Sequence, residues 1–112
     1  MRRFRSLRRQ ADLARLRRQG RRISTNNLTI YRSDAVSGDP SSLVCITVKK
    51  SIGKAVFRNK LRRRLAAIVH EALEQRSPLR LLLVARPAAA SATFVELRAE
   101  VTSALGRVYS DL

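Results

Sequence analysis

Two stretches of the chain alternate between apolar and polar residues, the pattern of a half-buried β-strand. Large apolar residues recur at every second position in residues 28–32 and again in residues 43–49. The connection at residues 33–42 contains Gly38 and Pro40, which are typical of turns. The pattern predicts an antiparallel pair of strands with one apolar and one polar face. The polar face displays Thr29, Tyr31, Thr47 and Lys49.

A third strand is predicted where apolar residues run almost continuously through residues 79–85. So short a run, followed by Arg86 and Pro87, is typical of a central strand that is covered on both faces.

The apolar spacing changes to a helical period over residues 54–76. The positions predicted to face the core are Phe57, Leu61, Leu65, Ile68 and Ala72. A capping box, Thr93-x-x-Glu96, predicts the start of a last helix. Its predicted core stripe is Phe94, Leu97, Val101, Leu105 and Val108.

A shorter helix is predicted from Leu7 or Gln10 to Gln19, with Gly20 as a left-handed C-terminal cap. The apolar face of this helix is thin, so it must dock on a larger surface to persist. We expect residues 1–6 to form a flexible basic arm. The order of elements predicts an α+β fold, with helices packed on one small sheet in a single domain spanning residues 1–112.

Composition agrees with one folded domain and points to a polyanionic partner. The 112 residues are 45% hydrophobic, enough for a modest core. Lys and Arg number 24 against 8 Asp and Glu, which gives a net charge of +16. Such a field attracts nucleic acid first and an anionic membrane surface second.

The positive charge is concentrated in two blocks. Residues 1–32 carry eleven basic residues and one acid, and residues 49–64 carry eight basic residues and no acid. Residues 65–112 hold five residues of each sign. The second block is also laced with apolar residues at helical spacing, so we interpret it as a basic face on an ordered helix.

Cysteine usage and hydropathy bear on the compartment. One cysteine, Cys45, excludes an internal disulfide and a multi-thiolate zinc site, and is typical of a reducing compartment. No apolar run approaches the ~18 residues of a membrane span, and none of about 7 to 15 residues follows the basic N-terminus as in a secretory signal. We expect a cytoplasmic protein.

The chain offers little to catalysis by its own side chains. His70 is the single histidine, and its place in a helical stretch beside Val69 favours a surface or edge residue over a base or ligand. The acids show no paired arrangement, and the phosphate-loop pattern is absent around Gly53 and Lys54. We predict neither catalytic residues nor metal ligands.

Binding chemistry is abundant in the second basic block. Arginine makes forked contacts to phosphate oxygens, Asn59 can bond a base edge or a 2′-hydroxyl, and Tyr31 could stack an unpaired base. The predicted RNA-binding residues are Lys49, Lys50, Lys54, Arg58, Asn59, Lys60, Arg62, Arg63 and Arg64.

Residues 48–65, V-K-K-S-I-G-K-A-V-F-R-N-K-L-R-R-R-L, closely resemble the RNR signature of the bacterial ribonuclease P protein subunit. Arg58-Asn59-Lys60 stands where that family has R-N-R. Residues 7–22 are similar to the family's L-x-x-x-x-D-F-x-x-V-x-x-x-G segment, and residues 28–32 and 81–87 also fit.

The resemblance implies a protein that joins a catalytic RNA subunit and assists Mg²⁺-dependent removal of the 5′ leader from precursor tRNA. The Mg²⁺ would be bound mainly by the RNA. We expect this protein to need no other protein as an obligate partner and to bind no membrane. The implied fold is a small mixed sheet of about four strands with three helices, like domain 2 of ribosomal protein S5. Its βαβ crossover around the signature helix would be left-handed.

The resemblance also implies a cleft for the single-stranded leader between the signature helix and the sheet, with residues of the first helix helping to line it. The positions that match it are Leu13, Leu16, Arg17, Thr29, Tyr31 and Thr47. The family commonly has aromatic residues where this chain has Leu13 and Arg17, so apolar packing and charge would replace stacking there.

Two other classes of protein fit the charge. A ribosomal or other structural RNA-binding protein could share a small sheet, but it would leave leader cleavage unchanged. A membrane-surface or antimicrobial basic protein needs a broad exposed apolar helix face. Here the apolar faces are assigned to the core.

Overall fold

The computed structural model describes residues 4–34, 41–74 and 78–110, with side chains up to residue 106. Five strands are found in these ranges: β1 (Phe4–Ser6), β2 (Arg21–Ser24), β3 (Leu28–Asp34), β4 (Ser42–Thr47) and β5 (Leu79–Ala85). The three α-helices are α1 (Gln10–Gln19), α2 (Ala55–Ala72) and α3 (Phe94–Ser110). Short 3₁₀ turns at Lys50–Ile52 and Pro87–Ser91 precede α2 and α3.

The strands form one mixed sheet in the order β1-β4-β5-β3-β2. Strand β5 lies at the centre, parallel to β4 and antiparallel to β3. Its residues are buried from both sides, since Leu81 and Leu83 face one layer and Leu82 the other, all at 0–1% exposure. The predicted central strand is thereby confirmed.

The predicted antiparallel pairing of residues 28–32 with residues 43–49 is wrong. Each stretch pairs with β5 instead, so that Thr29 and Thr47 both lie opposite Val84. Alternation tells which face of a strand is buried, but it does not identify the neighbouring strand. The strand with the nearly continuous apolar run, β5, takes the middle because it must be covered on both faces.

The mixed α+β fold with three helices is confirmed, while the sheet has five strands rather than about four. The two strands that the hydrophobic pattern does not predict, β1 and β2, are short and contain arginine, so their sequences show no alternation. The unit β4-α2-β5 joins two parallel neighbours and is the crossover that the resemblance implies. Its left hand stays a prediction.

Residues 4–6 do not belong to the flexible arm that is predicted for residues 1–6. Phe4 is only 6% exposed, and β1 pairs in parallel with the edge of β4. The Leu7 amide then donates to the Val44 carbonyl oxygen at 2.9 Å. Residues 4–6 are therefore part of the sheet, whereas residues 1–3 of the predicted arm lie outside the described residues.

The sheet separates two apolar layers. The larger core lies between the sheet and the helices α2 and α3. On the opposite face, α1 buries a small cluster of Leu7, Leu16 and Leu82. The main helix of the second basic block thus lies on one side of the sheet and α1 on the other.

Helix α3 begins as its capping box predicts, with the Glu96 amide donating to Thr93 Oγ1 at 3.1 Å. One member of its predicted core stripe is wrong, since Phe94 is 40% exposed. Phe94 is the first residue of the helix. The Val108 side chain lies outside the described residues.

Gly20 ends α1 with φ −72° and ψ 160°, so the predicted left-handed cap is wrong. Close approach explains the glycine instead. A β-carbon there would lie 2.8 Å from Leu16 Cδ1 and 3.0 Å from the Arg32 carbonyl oxygen. The space between the end of α1 and strand β3 therefore has no room for a side chain at this position.

Substitution of Gly20 by alanine is expected to lower the free energy of unfolding by about 1 to 2 kcal/mol, because α1 must shift to admit the methyl group. Urea denaturation followed by circular dichroism measures this effect. Gly106→Ala is the matched control, since a β-carbon at Gly106 meets nothing within 4 Å. If the two variants lost stability equally, the close approach would not be the cause.

Candidate nucleic-acid interface

Helix α2 carries the second basic block because its apolar residues occupy one stripe. Leu61, Leu65, Ile68 and Val69 are 0–3% exposed against the core. The 3.6-residue period then places Lys60, Arg63 and Arg64 outside that stripe, where they are exposed. The result is an ordered row of cations on a rigid element.

The predicted RNA-binding residues divide by exposure. Those that are exposed are Lys49, Lys50, Lys54, Asn59, Lys60, Arg63 and Arg64, and those that are half-buried are Arg58 and Arg62. Arg58 Nε donates to the Gly53 carbonyl oxygen at 3.1 Å, which fixes the turn before α2. Arg62 Nη1 donates to Asn59 Oδ1 at 2.6 Å. These two arginines are therefore held in place by the protein as well as available to a ligand.

The two basic blocks meet at the edge of the sheet. Phe4 and Ser6 of β1 share a cavity of about 220 Å³ with Arg62 and Arg63 of α2. Arg5, between them, is exposed. The basic surface of α2 thus continues onto β1, a continuity that a flexible arm at residues 1–6 would not provide.

The predicted position of the cleft, between the signature helix α2 and the sheet, is wrong, because the larger core fills that space. The residues predicted for the cleft lie on the opposite face of the sheet, where α1 crosses it. Leu16 is 4% exposed and packs with Leu82, so it supports the cleft from behind. Leu13 and Tyr31 are half-buried beside this cluster. Helical geometry places Arg17, which is exposed, on the same flank of α1 as Leu13.

Strand pairing brings the sheet residues of the cleft into rows, because directly paired residues share a face. One row consists of Ser24, Thr29, Val84 and Thr47. The next consists of Arg22, Tyr31, Leu82 and Cys45. Thr29, Tyr31 and Thr47 therefore do share the predicted polar face, although β5 separates their strands.

The residues of this face that the sequence does not identify as candidates include Arg22, Val84 and Cys45. Arg22 is exposed directly beside Tyr31, but it belongs to a strand that the sequence does not signal. Val84 belongs to a continuous apolar run, where alternation cannot tell the faces apart. Cys45 lies 3.8 Å from Thr47 Oγ1 and is half-buried on the floor of the cleft.

The described part of the chain gives no group of three His, Cys, Asp or Glu residues that could hold a metal ion. The donor set of these residues therefore does not fit a resident Mg²⁺. Within the same ranges, no helix is both long and apolar enough to cross a membrane.

The fold and the basic surface define a small α+β protein with two polar faces, one on α2 and one beside α1. The family model for ribonuclease P matches residues 1–109. The ribonuclease P protein component of Acidothermus cellulolyticus is 40% identical over 104 residues, covering 91% of this chain and 86% of that one. That of Thermobifida fusca is 36% identical over 109 residues, with 91% and 74% covered.

Solved structures show the same fold. The RNase P protein of Staphylococcus aureus has a TM-score of 0.81 at 19% identity, covering 92% of this chain and 94% of that one. The RNase P protein of Thermotoga maritima has a TM-score of 0.71 at 22% identity, with 91% and 96% covered. The chain belongs to the bacterial ribonuclease P protein-component family.

Proposed function

We propose that this chain binds the RNA subunit of ribonuclease P through α2 and the 5′ leader of precursor tRNA in the cleft beside α1. In that assembly it assists the Mg²⁺-dependent endonucleolytic cut that leaves the mature 5′ end of the tRNA. The observation that carries this proposal is the presence of two separate polar faces on opposite sides of one sheet. One protein of 112 residues can thereby contact two RNAs at once.

The face on α2 suits a large structured RNA. Its lysines and arginines project from a rigid helix, and phosphate contacts of this kind position a protein without reading sequence. The cleft suits a single strand, because it combines an aromatic ring at Tyr31, hydroxyls at Thr29 and Thr47, and the cation Arg22.

In this proposal the catalytic groups and the Mg²⁺ ions belong to the RNA subunit. The described residues include no group of three His, Cys, Asp or Glu residues that could hold the metal ions used in protein-based phosphodiester hydrolysis. The protein contributes binding and positioning. The proposed setting is the bacterial cytoplasm, where precursor tRNA is made.

Reconstitution tests the proposal. The chain is added to the ribonuclease P RNA of a relative such as Acidothermus cellulolyticus, at Mg²⁺ too low for the RNA to act efficiently alone. Cleavage of precursor tRNA is expected to rise severalfold and to leave a 5′-phosphate on the tRNA. An unchanged cleavage rate, with the protein shown to be folded, would sink the proposal.

The cleft gives a prediction for substrate affinity. Tyr31→Ala is expected to weaken binding of precursor tRNA to the reconstituted enzyme by about tenfold, because base stacking is worth roughly 1 to 3 kcal/mol. Mature tRNA lacks the leader, so its affinity is expected to stay within about twofold. Equilibrium binding of the two tRNAs measures the difference.

Tyr31→Phe serves as the control, since it keeps the ring and removes only the hydroxyl. It is expected to bind precursor tRNA nearly as tightly as the parent protein. If Tyr31→Ala weakened the binding of precursor tRNA and of mature tRNA equally, Tyr31 would not contact the leader.

A further inference from the structure

A second cavity lies on the flank of α1 that faces away from the cleft. Its volume is about 550 Å³, within the range of about 300 to 1,000 Å³ that is usual for small-molecule sites. Leu7, Leu16 and Leu43 give it an apolar floor. The helical period separates the two sites, because Leu13 and Arg17 project from one flank of α1 while Asp12 and Arg15 project from the other.

Three arginines from different segments converge on this cavity. Arg9 precedes α1, Arg15 lies within it, and Arg80 comes from β5. Arg80 is oriented by the protein, since its Nη1 donates to the Ser41 carbonyl oxygen at 3.0 Å. Guanidinium groups in such an arrangement recognise a phosphate through charge-assisted, forked hydrogen bonds.

Further polar groups complete the lining. Asp12, Gln19, Ser33 and Asp34 also line the cavity, so three arginines and two carboxylates leave it with a net positive charge. Among the described residues, the side chains of Arg9, Asp12, Arg15 and Gln19 have no hydrogen-bond or ion-pair partner, so their bonding capacity is open to a ligand. A carboxylate accepts from a ribose hydroxyl or an exocyclic amine, and an amide both donates and accepts.

We propose that this cavity binds one phosphorylated nucleotide of an RNA strand. The phosphate lies among the arginines, the sugar or base lies on the leucine floor, and Asp12 and Gln19 bond the polar edge. An apolar floor without the arginines would suit a neutral ligand, and arginines without the floor would suit a bare phosphate. The combination selects a nucleoside phosphate.

The proposal deepens the proposed function, and it rests on that function only for the source of the nucleotide. The strand is either the leader, beyond the part held in the cleft, or a segment of the RNA subunit. Nucleotide binding by the protein alone is independent of tRNA cleavage, so the two ideas can fail separately.

Helix α1 offers a matched set of variants for the test. Arg15→Ala removes a cavity arginine, whereas Arg18→Ala removes one from the solvent-facing side of the same helix. Each lowers the net charge by one, and both positions are exposed, so folding should be unaffected. Circular dichroism spectra that match those of the parent protein verify this.

Adenosine 5′-monophosphate is titrated into the full chain at about 0.15 M salt, and amide chemical shifts are followed by NMR. We expect saturable shifts at Gly20 and Ser33, which line the cavity. Arg15→Ala is expected to raise the dissociation constant about tenfold, as for loss of a hydrogen bond to a charged group, and Arg18→Ala less than twofold. Adenosine and inorganic phosphate are each expected to bind more weakly than the nucleotide.

Equal dissociation constants for the two variants, or shifts that avoid Gly20 and Ser33, would overturn the proposal. Binding measurements with the holoenzyme and with the RNA subunit then show which RNA supplies the nucleotide. If the leader supplies the nucleotide, Arg15→Ala weakens binding of precursor tRNA to the holoenzyme only when the leader exceeds a certain length. If the RNA subunit supplies it, the same variant weakens binding of that RNA without tRNA, and no effect on either RNA would contradict a site for RNA.

Discussion

Replacing Lys60 and Arg63 together with alanine is expected to weaken binding to the RNA subunit on the order of 30-fold at about 0.15 M salt. Both residues are exposed on the outer side of α2, where neither supports the core. Each phosphate contact that is lost removes the release of condensed counterions, so the log–log slope of affinity against salt should fall by about 0.7 to 0.9 per residue. Filter binding across a salt series measures both quantities.

A charge-matched control separates local contact from general attraction. Ala99→Glu with Ser103→Glu also lowers the net charge by two, at exposed positions on α3. This control is expected to change affinity by less than about threefold and to leave the salt slope almost unchanged. If the two double variants behaved alike, the α2 face would not be the site of contact.

The second large effect concerns stability, where Glu100→Ala is expected to lower the free energy of unfolding by about 3 kcal/mol. Asn27, which is 2% exposed, donates its backbone amide to Glu100 Oε1 at 3.0 Å and its side-chain amide to Oε2. Removal of the carboxylate leaves two buried donors without partners, at a cost of about 1 to 3 kcal/mol each. Chemical denaturation measures the loss.

The same contact gives a pH dependence with a defined sign. Burial raises the pKa of the Glu100 carboxyl, but hydrogen bonds from Thr25 and Asn27 outweigh burial and hold that pKa below its ordinary value of 4.5. The stabilisation is therefore complete above pH 4.5 and is lost as the pH falls through the pKa of the folded state. Glu100→Gln should remove this part of the acid-side loss.

Glu96 provides the control, since it lies on the same helix but is exposed. Glu96→Gln is expected to change stability by less than about 0.5 kcal/mol, as for most surface substitutions. If Glu100→Gln and the parent protein lost the same free energy of unfolding as the pH falls below 4.5, the contact with Asn27 would not contribute to the pH dependence of stability.

The arrangement of elements could be predicted where the hydrophobic pattern is strong. Strand β5 was located to its residue because its apolar run ends sharply at Arg86 and Pro87, and the Thr93 cap marks the start of α3. The neighbours of β5 could not be predicted, because pairing depends on which apolar surfaces fit together in three dimensions. Strand β1 could not be predicted, because three residues with one apolar side chain are too few to show the two-residue alternation of a strand.

The two faces of the site differ in the same way. The cations of α2 could be predicted, since a helix with one apolar stripe must expose the rest. Leu13 and Arg17 could be assigned to the cleft only through the family resemblance. Arg22 could be assigned only from the structure, because its position beside Tyr31 follows from the pairing of β2 with β3. The cavity around Arg15 depends on segments far apart in sequence, which no local pattern connects.

The central claim is that the leader lies in the cleft beside α1 while α2 contacts the RNA subunit. Cys45 is the one cysteine of the chain and lies on the floor of that cleft, so it can carry a photoactivatable crosslinker. The control places the crosslinker at Thr102→Cys in a Cys45→Ser background, on the exposed side of α3. In the assembled enzyme, Cys45 is expected to crosslink to leader nucleotides of precursor tRNA and the control position is not. Crosslinks from Cys45 to the RNA subunit alone, or equal leader yields from both positions, would contradict the account.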